Sequence, residues 1–286
     1  MATGVEINRS NITLPADVSR EILQKTQTES AVMTLARQIT LPGRGAAVQA
    51  IAEDPEAAWV GETEAKPVSR PAIGTKIMQP YKLAVIVPFS NEFRRDADFL
   101  YEALVERLPK ALGEKFDNTI IGSTAPGSNF DVLGSCTPVD IQTDTYAGLC
   151  TAEQVIALAG GDMNGLAVGP AGKSALLMAT DQNKRPLFIN SAAEGAVPYV
   201  LGAPVHVSKG MQDMDNGVVG IAGDWTQAMY GTVEGVKIDI SDQATLTDGE
   251  STINLFQQNM FAVRAEIELG FIADTDCFAL LTGSES

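Results

Sequence analysis

The stretch from Glu53 to Arg95 places a polar run directly ahead of a dense apolar one, and this contrast limits what the chain can fold into. The polar half carries strand-forming residues only at intervals, namely Trp59, Val60, Ile73 and Ile77. So little apolar surface cannot offset the entropy lost when a long excursion is ordered on its own. We therefore predict an arm that needs a partner chain, followed by a core strand at Leu83–Val87.

A long helix is predicted directly after this strand, from Asp96 to about Ile121. Its apolar side chains recur every four residues and form one row, at Leu100, Leu104, Leu108, Leu112, Phe116 and Ile120. Asp96 and Asp98 suit the positive end of the helix dipole. Pro109 lies inside the helix and removes one backbone hydrogen bond, so we expect a bend there.

The remaining elements are shorter. Pro15 to about Ala36 is predicted to be a helix of an N-terminal arm that stays outside the core. Residues 122–148 are rich in Gly, Ser, Thr and Pro, which predicts a loop with one short strand near Val139–Gln142. A helix is predicted to start at Thr151, with a capping box to Gln154.

Strands and short helices then alternate up to Thr232, which predicts a second compact lobe. The predicted strands are Leu166–Val168, Leu187–Asn190, Val205–Ser208 and Val218–Ile221, with Val236–Ile240 just beyond, and the predicted helix is Ala171–Gln182. Asn259–Phe271 is the clearest strand of the chain, because apolar residues alternate with a largely charged set from Phe261 to Phe271. It is predicted to bury one face.

Four blocks in this order resemble the major capsid proteins of tailed double-stranded DNA bacteriophages, whose fold is shared with encapsulin compartments. The blocks are Trp59-Val60-Gly61-Glu62 with Ala65-Lys66-Pro67, then Lys82–Pro88, then Leu201–Ser208, and then Asn259–Phe271. They span about Glu53 to Leu281, so the resemblance covers most of the chain. It rests on the ordered set, since no block is diagnostic alone.

The resemblance implies an α+β phage major-capsid fold with four parts. These are an N-terminal arm (1–50), an extended two-stranded loop (51–82), a peripheral domain with the long spine helix and an antiparallel sheet (83–150 and 233–286), and a mixed α/β axial domain (151–232). Some members of the family fuse a helical scaffolding segment ahead of this arm. We expect here either a separate scaffold or an arm that suffices.

The charge balance argues against a general nucleic-acid binder. Acidic residues outnumber basic ones by 36 to 20, which gives a formal net charge of −16 and no electrostatic affinity for phosphates. Such acidity is compatible with a shell that encloses double-stranded DNA without reading its sequence.

Three cysteines without a CxxC pair and one histidine are poor material for a zinc site. These residues are Cys136, Cys150, Cys277 and His206.

A nucleotide-binding enzyme is the alternative from another class. Ala167–Ser174 fits a relaxed phosphate-loop pattern between a predicted strand and a predicted helix, where backbone amides and Lys173 would cradle phosphates. Pro170 removes one of those amides. We also find no convincing strand that ends in a magnesium-binding Asp downstream. The pattern is therefore more typical of an ordinary strand-turn-helix.

The other candidate groups are predicted to be structural or solvated. His206 has no nucleophile pattern near it and no G-x-S-x-G elbow exists in the chain. The acidic pairs Glu62/Glu64 and Asp213/Asp215 lie in polar loops, where such pairs mostly serve solubility. Trp59 and Trp225 are typical of strand or interface anchors. We expect no catalytic residue, no metal and no cofactor.

Some members of the resembled family form an isopeptide bond between an arm Lys and an Asn of a neighbour, assisted by a Glu. The residues that resemble this set are Lys66 or Lys76, with Asn259 and Glu266. Asn259 and Glu266 differ by an odd number, so a regular strand directs their side chains to opposite faces. Solvated surface charges are the expected reading of these residues.

The resemblance implies a structural protein that acts by assembly into pentamers and hexamers of identical subunits. The expected arm contacts to a neighbour are Trp59, Val60, Glu62, Lys66 and Arg70, and the candidate salt-bridge partners across subunits are Arg94, Arg107 and Arg264. The implied place is the virion, after synthesis in the host cytoplasm. Scaffold, portal and decoration proteins are open as further partners, and no membrane is expected. An encapsulin-type cargo shell and the phosphate-loop enzyme stay open as alternatives.

Overall fold

The computed structural model describes residues 16–51, 59–60, 73–92, 97–181, 183–188, 197–248 and 251–283. These residues form five α-helices, namely α1 (Ala16–Glu29), α2 (Ala31–Leu35), α3 (Ala97–Ile121), α4 (Thr145–Leu158) and α5 (Pro170–Met178). The first seven strands are β1 (Arg37–Thr40), β2 (Ala46–Ile51), β3 (Ile73–Met78), β4 (Tyr81–Ser90), β5 (Thr137–Asp140), β6 (Gly165–Val168) and β7 (Tyr199–Val200). The other eight are β8 (Ala203–Val207), β9 (Val218–Gly223), β10 (Ala228–Thr232), β11 (Lys237–Ser241), β12 (Thr245–Asp248), β13 (Ser251–Asn254), β14 (Met260–Ala273) and β15 (Phe278–Thr282).

The long strand β14 organises a five-stranded sheet. One edge of β14 pairs with β10 and β11, and its other edge pairs with β4 over ten residues, all antiparallel, while β1 adds in parallel to β10. The alternation predicted for this strand is confirmed. The buried face consists of Phe261, Val263, Ala265, Ile267, Leu269 and Phe271.

The helix predicted after β4 is confirmed as α3, which packs against the buried face of this sheet. Four consecutive members of its apolar row are buried, at Leu108, Leu112, Phe116 and Ile120. The ring of Phe116 meets three other rings nearly edge-on, with centroids 6.3 Å from Phe130, 6.5 Å from Tyr230 and 6.4 Å from Phe271. These contacts place the centre of the main core between α3 and β14.

The N-terminal helix differs from its prediction in two ways. It is broken into α1 and α2, because Ser30 takes an extended conformation and its side chain caps α2 by accepting from the Met33 amide. The prediction that this segment stays outside the core is wrong. Ile22 and Val32 are fully buried in the same core as Phe116, since the apolar side of α1 and α2 packs on α3.

A six-stranded sheet forms a second layer, in the order β5-β15-β9-β6-β8-β7. One face packs into the main core, and α4 and α5 cover the other face with a separate apolar cluster that includes Leu149, Ile156, Val168 and Leu176. The strands β5 and β15 come from residues 137–140 and 278–282, so distant parts of the chain complete this layer.

Three local predictions in this layer are corrected. The helix predicted from Thr151 begins at Thr145, because the side chain of Asp144 accepts from the Ala147 amide and caps α4 one and a half turns earlier. The helix predicted to reach Gln182 ends at Met178. Leu187 lies outside any strand, next to an isolated bridge between Thr180 and Pro186.

β2 and β3 form a two-stranded ribbon, paired antiparallel from Ala46 opposite Met78 to Ile51 opposite Ile73. β3 lies in the predicted loop (51–82), whereas nearly all of β2 lies in the range predicted as the N-terminal arm (1–50). Met78 is fully buried against Leu41 and fixes the ribbon to the body. Within the predicted loop, residues 52–58 and 61–72 lie outside the described residues.

Candidate assembly surfaces

The predicted arm contacts are only partly within the described residues. Trp59 is fully exposed at 104% of its reference surface, and Val60 is exposed as well. Glu62, Lys66, Arg70 and Arg94 lie outside the described residues, as does Glu64. An indole with no shielding from its own subunit is the side chain that contributes most when a protein interface covers it. Trp59 is therefore the strongest described candidate for a contact with another chain.

The two described arginines among the candidate salt-bridge partners differ in their surroundings. Arg107 is exposed on α3. Arg264 donates to Asp239 at 2.7 Å and lies 3.2 Å from Glu266, both on the outer face of the five-stranded sheet. The hydrogen bond to Asp239 and the charge of Glu266 raise the pKa of the Arg264 guanidinium. Arg264 thus has two acidic partners within its own subunit.

A buried carboxylate joins three separate segments, and sequence reasoning missed it. Asp117 of α3 is fully buried and accepts hydrogen bonds from the Ser30 hydroxyl at 2.5 Å and from the amides of Ala31 and Val32. Ser208, at the end of β8, also bonds to this carboxylate. We call this group the Asp117 junction. It ties α1 and α2 to the spine helix and to the six-stranded layer.

Burial controls the ionisation of the Asp117 junction. Desolvation raises the pKa of Asp117 to about 6, while its hydrogen bonds from Ser208, Ser30 and the two amides act in the opposite direction. Asp117 lies between Phe116 and Asn118 in the sequence, and this local pattern offers only a weak signal that the carboxylate is buried. Its role as a helix cap for α2 depends on a contact between residues 87 positions apart.

The cross-link candidates are not brought together in one subunit. Lys76 donates from Nζ to the carbonyl of Ala273 at 2.7 Å and to Asp131 at 3.1 Å, so it anchors the ribbon to its own body. Asn259 precedes β14 and accepts from the Asn91 side chain, while Glu266 pairs with Arg264. Asn259 and Glu266 are seven residue steps apart in sequence, which corresponds to about 23 Å along a strand. Lys66 lies outside the described residues.

The phosphate-loop pattern forms a tight strand-to-helix junction. The Gly169 amide donates to the carbonyl of Val219, and the Ala171 amide donates to the side chain of Gln212. A Cβ atom at Gly169 would stand 2.5 Å from the Cβ atom of Gln212. Residues 211–212 therefore fill the space that a phosphate would need next to the loop. The loop amides of Gly169 and Ala171 are already bonded to other groups.

The other polar candidates have structural surroundings. His206 is half-buried in β8, and desolvation lowers its pKa. Asp213 accepts from the Asp215 amide and from the Asn216 side chain within one turn. The described residues contain no group of three or more His, Cys, Asp or Glu side chains arranged to hold a metal ion. Trp225 is buried and donates to the carbonyl of Gly165.

None of the helices in the described residues has the length and apolar character needed to cross a membrane.

The six-stranded layer exposes apolar side chains that sequence reasoning did not single out. An open groove of about 600 Å³ runs between the start of α4 and α5 and is lined by Tyr146, Met178 and Leu187, among others. All three side chains are at least 43% exposed. Tyr146 and Met178 lie in α4 and α5, which carry apolar residues on exposed as well as buried sides, so periodicity alone cannot separate a buried residue from an exposed one.

A spine helix packed against a long antiparallel sheet, a second α/β layer and a two-stranded ribbon form the architecture expected of a phage major-capsid fold. The chain belongs to the phage capsid family, whose sequence profile matches residues 10–283. It is 27% identical over 292 residues to the probable major capsid protein gp17 of Mycobacterium phage D29, covering 94% of this chain and 89% of that protein. It is 25% identical over 290 residues to the major capsid protein of Staphylococcus phage 80alpha, covering 96% of this chain and 86% of that protein.

The fold is also similar to that of a solved structure from Mycobacterium phage Cain. The TM-score is 0.71 at 20% sequence identity, over 90% of this chain and 91% of that chain. The predicted α+β major-capsid fold and the predicted membership in the capsid family are confirmed.

Proposed function

We propose that this chain is the major structural subunit of a phage capsid, which self-assembles into an icosahedral shell around double-stranded DNA. The observation that carries the proposal is the family match over residues 10–283, on a fold that agrees with capsid structures over nine-tenths of the chain. The proposed action is assembly, with no turnover chemistry. The alternative of a nucleotide enzyme has no support in the filled junction at Gly169.

The two sheets suggest how the subunit divides into an axial domain and a peripheral domain. We assign the axial domain to the six-stranded layer with α4 and α5, and the peripheral domain to α3 with the five-stranded sheet. This assignment departs from the predicted bounds, because β5 and β15 lie in the ranges predicted as peripheral (83–150 and 233–286) and β10 lies in the range predicted as axial (151–232). Axial domains meet at the centre of pentamers and hexamers, and ribbons cross to neighbouring subunits. Many modest contacts repeated by symmetry then supply the stability of the shell.

The acidity of the chain supports a passive relation to the genome. A net charge of −16 gives no phosphate-neutralising surface, so DNA is enclosed without being bound base by base. The same charge keeps unassembled subunits soluble until they meet at high concentration. Scaffold, portal and decoration proteins are compatible partners. The finished protein is expected in the virion, after synthesis in the host cytoplasm.

The proposal is tested by electron microscopy of particles formed by the unmodified chain, Trp59→Ala and Trp59→Phe. The unmodified chain and Trp59→Phe should form closed icosahedral particles, because an aromatic anchor is kept. Trp59→Ala should reduce the yield of particles at least about tenfold, as expected for an interface hot spot. Its unfolding midpoint as a free subunit should not change, since Trp59 is fully exposed.

The contents of the particles separate the two kinds of shell. Particles isolated from infected cells with DNA inside support a phage capsid, whereas a bound protein cargo in place of DNA would identify an encapsulin-type compartment. Failure of the unmodified chain to form any shell, alone or with phage partner proteins, would contradict the proposal.

A further inference from the structure

The pairing of β4 with β14 fixes the direction of every backbone group along β4. Residues of the two strands pair so that their numbers sum to 350, from Ser90 opposite Met260 to Tyr81 opposite Leu269. One residue beyond β4, the amide of Asn91 donates to the carbonyl of Asn259 at 3.0 Å. In an antiparallel pair, hydrogen-bonded positions alternate with positions that direct N–H and C=O away. The odd-numbered residues of β4 therefore bond to β14, and the even-numbered ones point away.

The outward backbone groups of β4 form an edge without a partner in the part of the chain that the structure describes. β14 is the only described strand that pairs with β4, and no described group bonds to the amides of Lys82, Ala84 or Ile86. The side chains of these three residues are exposed too, with Ile86 at 48%. We call the outward backbone groups of residues 82–87 the free edge.

Pro88 limits where another strand can pair. Its position is even-numbered, so its missing N–H falls on the free edge and leaves the bonds to β14 intact. The pairing window consequently runs from Lys82 to Val87. Within it only Lys82 is charged, and that side chain lies 3.5 Å from Glu268 of its own subunit. Proteins normally guard a long exposed edge with charges, prolines or bulges, and this edge has such guards only at its two ends, Lys82 and Pro88, with none between them.

We propose that a strand from a second copy of this chain pairs with the free edge in the assembled shell. This inference rests on the proposed function, because a shell holds neighbouring copies next to every subunit. The second copy also carries a suitable strand. β2 pairs only with β3 among the described strands, is six residues long, and contains neither charge nor proline. Strand addition of this kind gains affinity from main-chain hydrogen bonds.

Residue-resolved hydrogen exchange on the unmodified chain tests the proposal, in the free subunit and in the shell. The amides of Lys82, Ala84 and Ile86 should exchange rapidly in the free subunit and at least about tenfold more slowly in the shell. The amides of Leu83, Val85 and Val87 bond to β14 and should be protected in both states. Equal exchange of the outward amides in both states would overturn the proposal, and so would protection already present in the free subunit.

Two variants at the centre of the free edge provide the matched test. Ala84→Pro removes one outward N–H, and Pro88 shows that this strand accommodates proline at an outward position. Ala84→Val keeps the N–H. The proline variant should remain folded but lose at least about tenfold in particle yield, whereas the valine variant should assemble normally.

The outcomes separate this inference from the proposed function. Normal shells from Ala84→Pro would overturn the inference and leave the capsid function standing. Absence of shells from the unmodified chain would contradict the function itself. Should Ala84→Pro not fold, the exchange comparison on the unmodified chain decides alone.

Discussion

The core around α3 and the ribbon of β2 and β3 are held by different means. Phe116 is buried among three other rings, and every described polar group of the Asp117 junction has a partner in the same subunit. The ribbon is anchored by Met78 and Lys76 at its base, while Trp59 beyond β2 is fully exposed. The core is therefore expected to set the stability of the subunit, and contact of the ribbon with neighbouring copies stays a prediction.

The largest effect is expected at the centre of the core. Phe116→Ala should lower the free energy of unfolding by about 3–5 kcal/mol, because it removes a buried ring and leaves a cavity. Denaturant unfolding of the free subunit measures this change. Phe256→Ala is the matched control, since Phe256 is 78% exposed and its loss should cost less than about 0.5 kcal/mol. Similar losses for both variants would contradict the division between core and surface.

Removal of the carboxylate at the Asp117 junction should be nearly as costly. Asp117→Ala leaves the Ser30 hydroxyl and the amides of Ala31 and Val32 buried without an acceptor, which is expected to cost about 3 kcal/mol. Urea unfolding compared with Asp117→Asn separates loss of charge from loss of all hydrogen bonds. A cost below about 1 kcal/mol would mean that α1 and α2 are held by apolar packing alone.

The same carboxylate predicts a pH dependence with a definite sign. Burial raises its pKa from 3.8 in the unfolded chain to about 6 in the folded subunit, so folding favours the protonated form. The contribution of Asp117 to stability should be greatest below pH 4 and should decrease as the pH rises from about 4 to about 6. Unfolding curves of the unmodified chain and Asp117→Asn across this range isolate the contribution. A slope that is unchanged in the variant would contradict it.

At the base of the ribbon, a smaller effect is expected. Lys76→Met keeps the apolar stem but removes the bonds to Ala273 and Asp131, and should destabilise the free subunit by about 1 kcal/mol. The ribbon should also exchange its amides faster, because its base is less firmly attached. Unchanged exchange in β2 and β3 would show that Met78 alone fixes the ribbon.

The smallest effect is expected on the outer face of the five-stranded sheet. Arg264→Ala removes exposed ion pairs with Asp239 and Glu266, so the unfolding free energy of the free subunit should hardly change. Particle yield is the informative measurement here, since Arg264 is a predicted contact between subunits. A large loss of stability in the free subunit would show that Arg264 stabilises its own subunit, and would contradict this prediction.

Strong periodicity predicted the elements that organise the fold. The four-residue row of α3 and the alternation of β14 each repeat over many residues, so a local pattern was sufficient there. Local patterns could not predict that α1 and α2 enter the core, because their burial depends on packing against α3 and on hydrogen bonds to Asp117, far along the chain. The start of α4 was placed six residues late, since its cap Asp144 is hidden in a loop-like run of polar residues.

The candidate surfaces were predictable only in part. Trp59 is exposed, but its predicted contact with a neighbour stays a prediction. The free edge of β4 could not be recognised from sequence, because the same alternation describes a central strand and an edge strand. Only the register with β14 shows which backbone groups point outward.

Sedimentation velocity of the unmodified chain, over a wide range of concentrations, tests the central claim that the folded subunit is completed by its neighbours. We expect free subunits at low concentration and, above a threshold, closed particles of discrete size in which Trp59 becomes shielded from solvent. A tight monomer at every concentration, with Trp59 already shielded by its own subunit, would contradict the account.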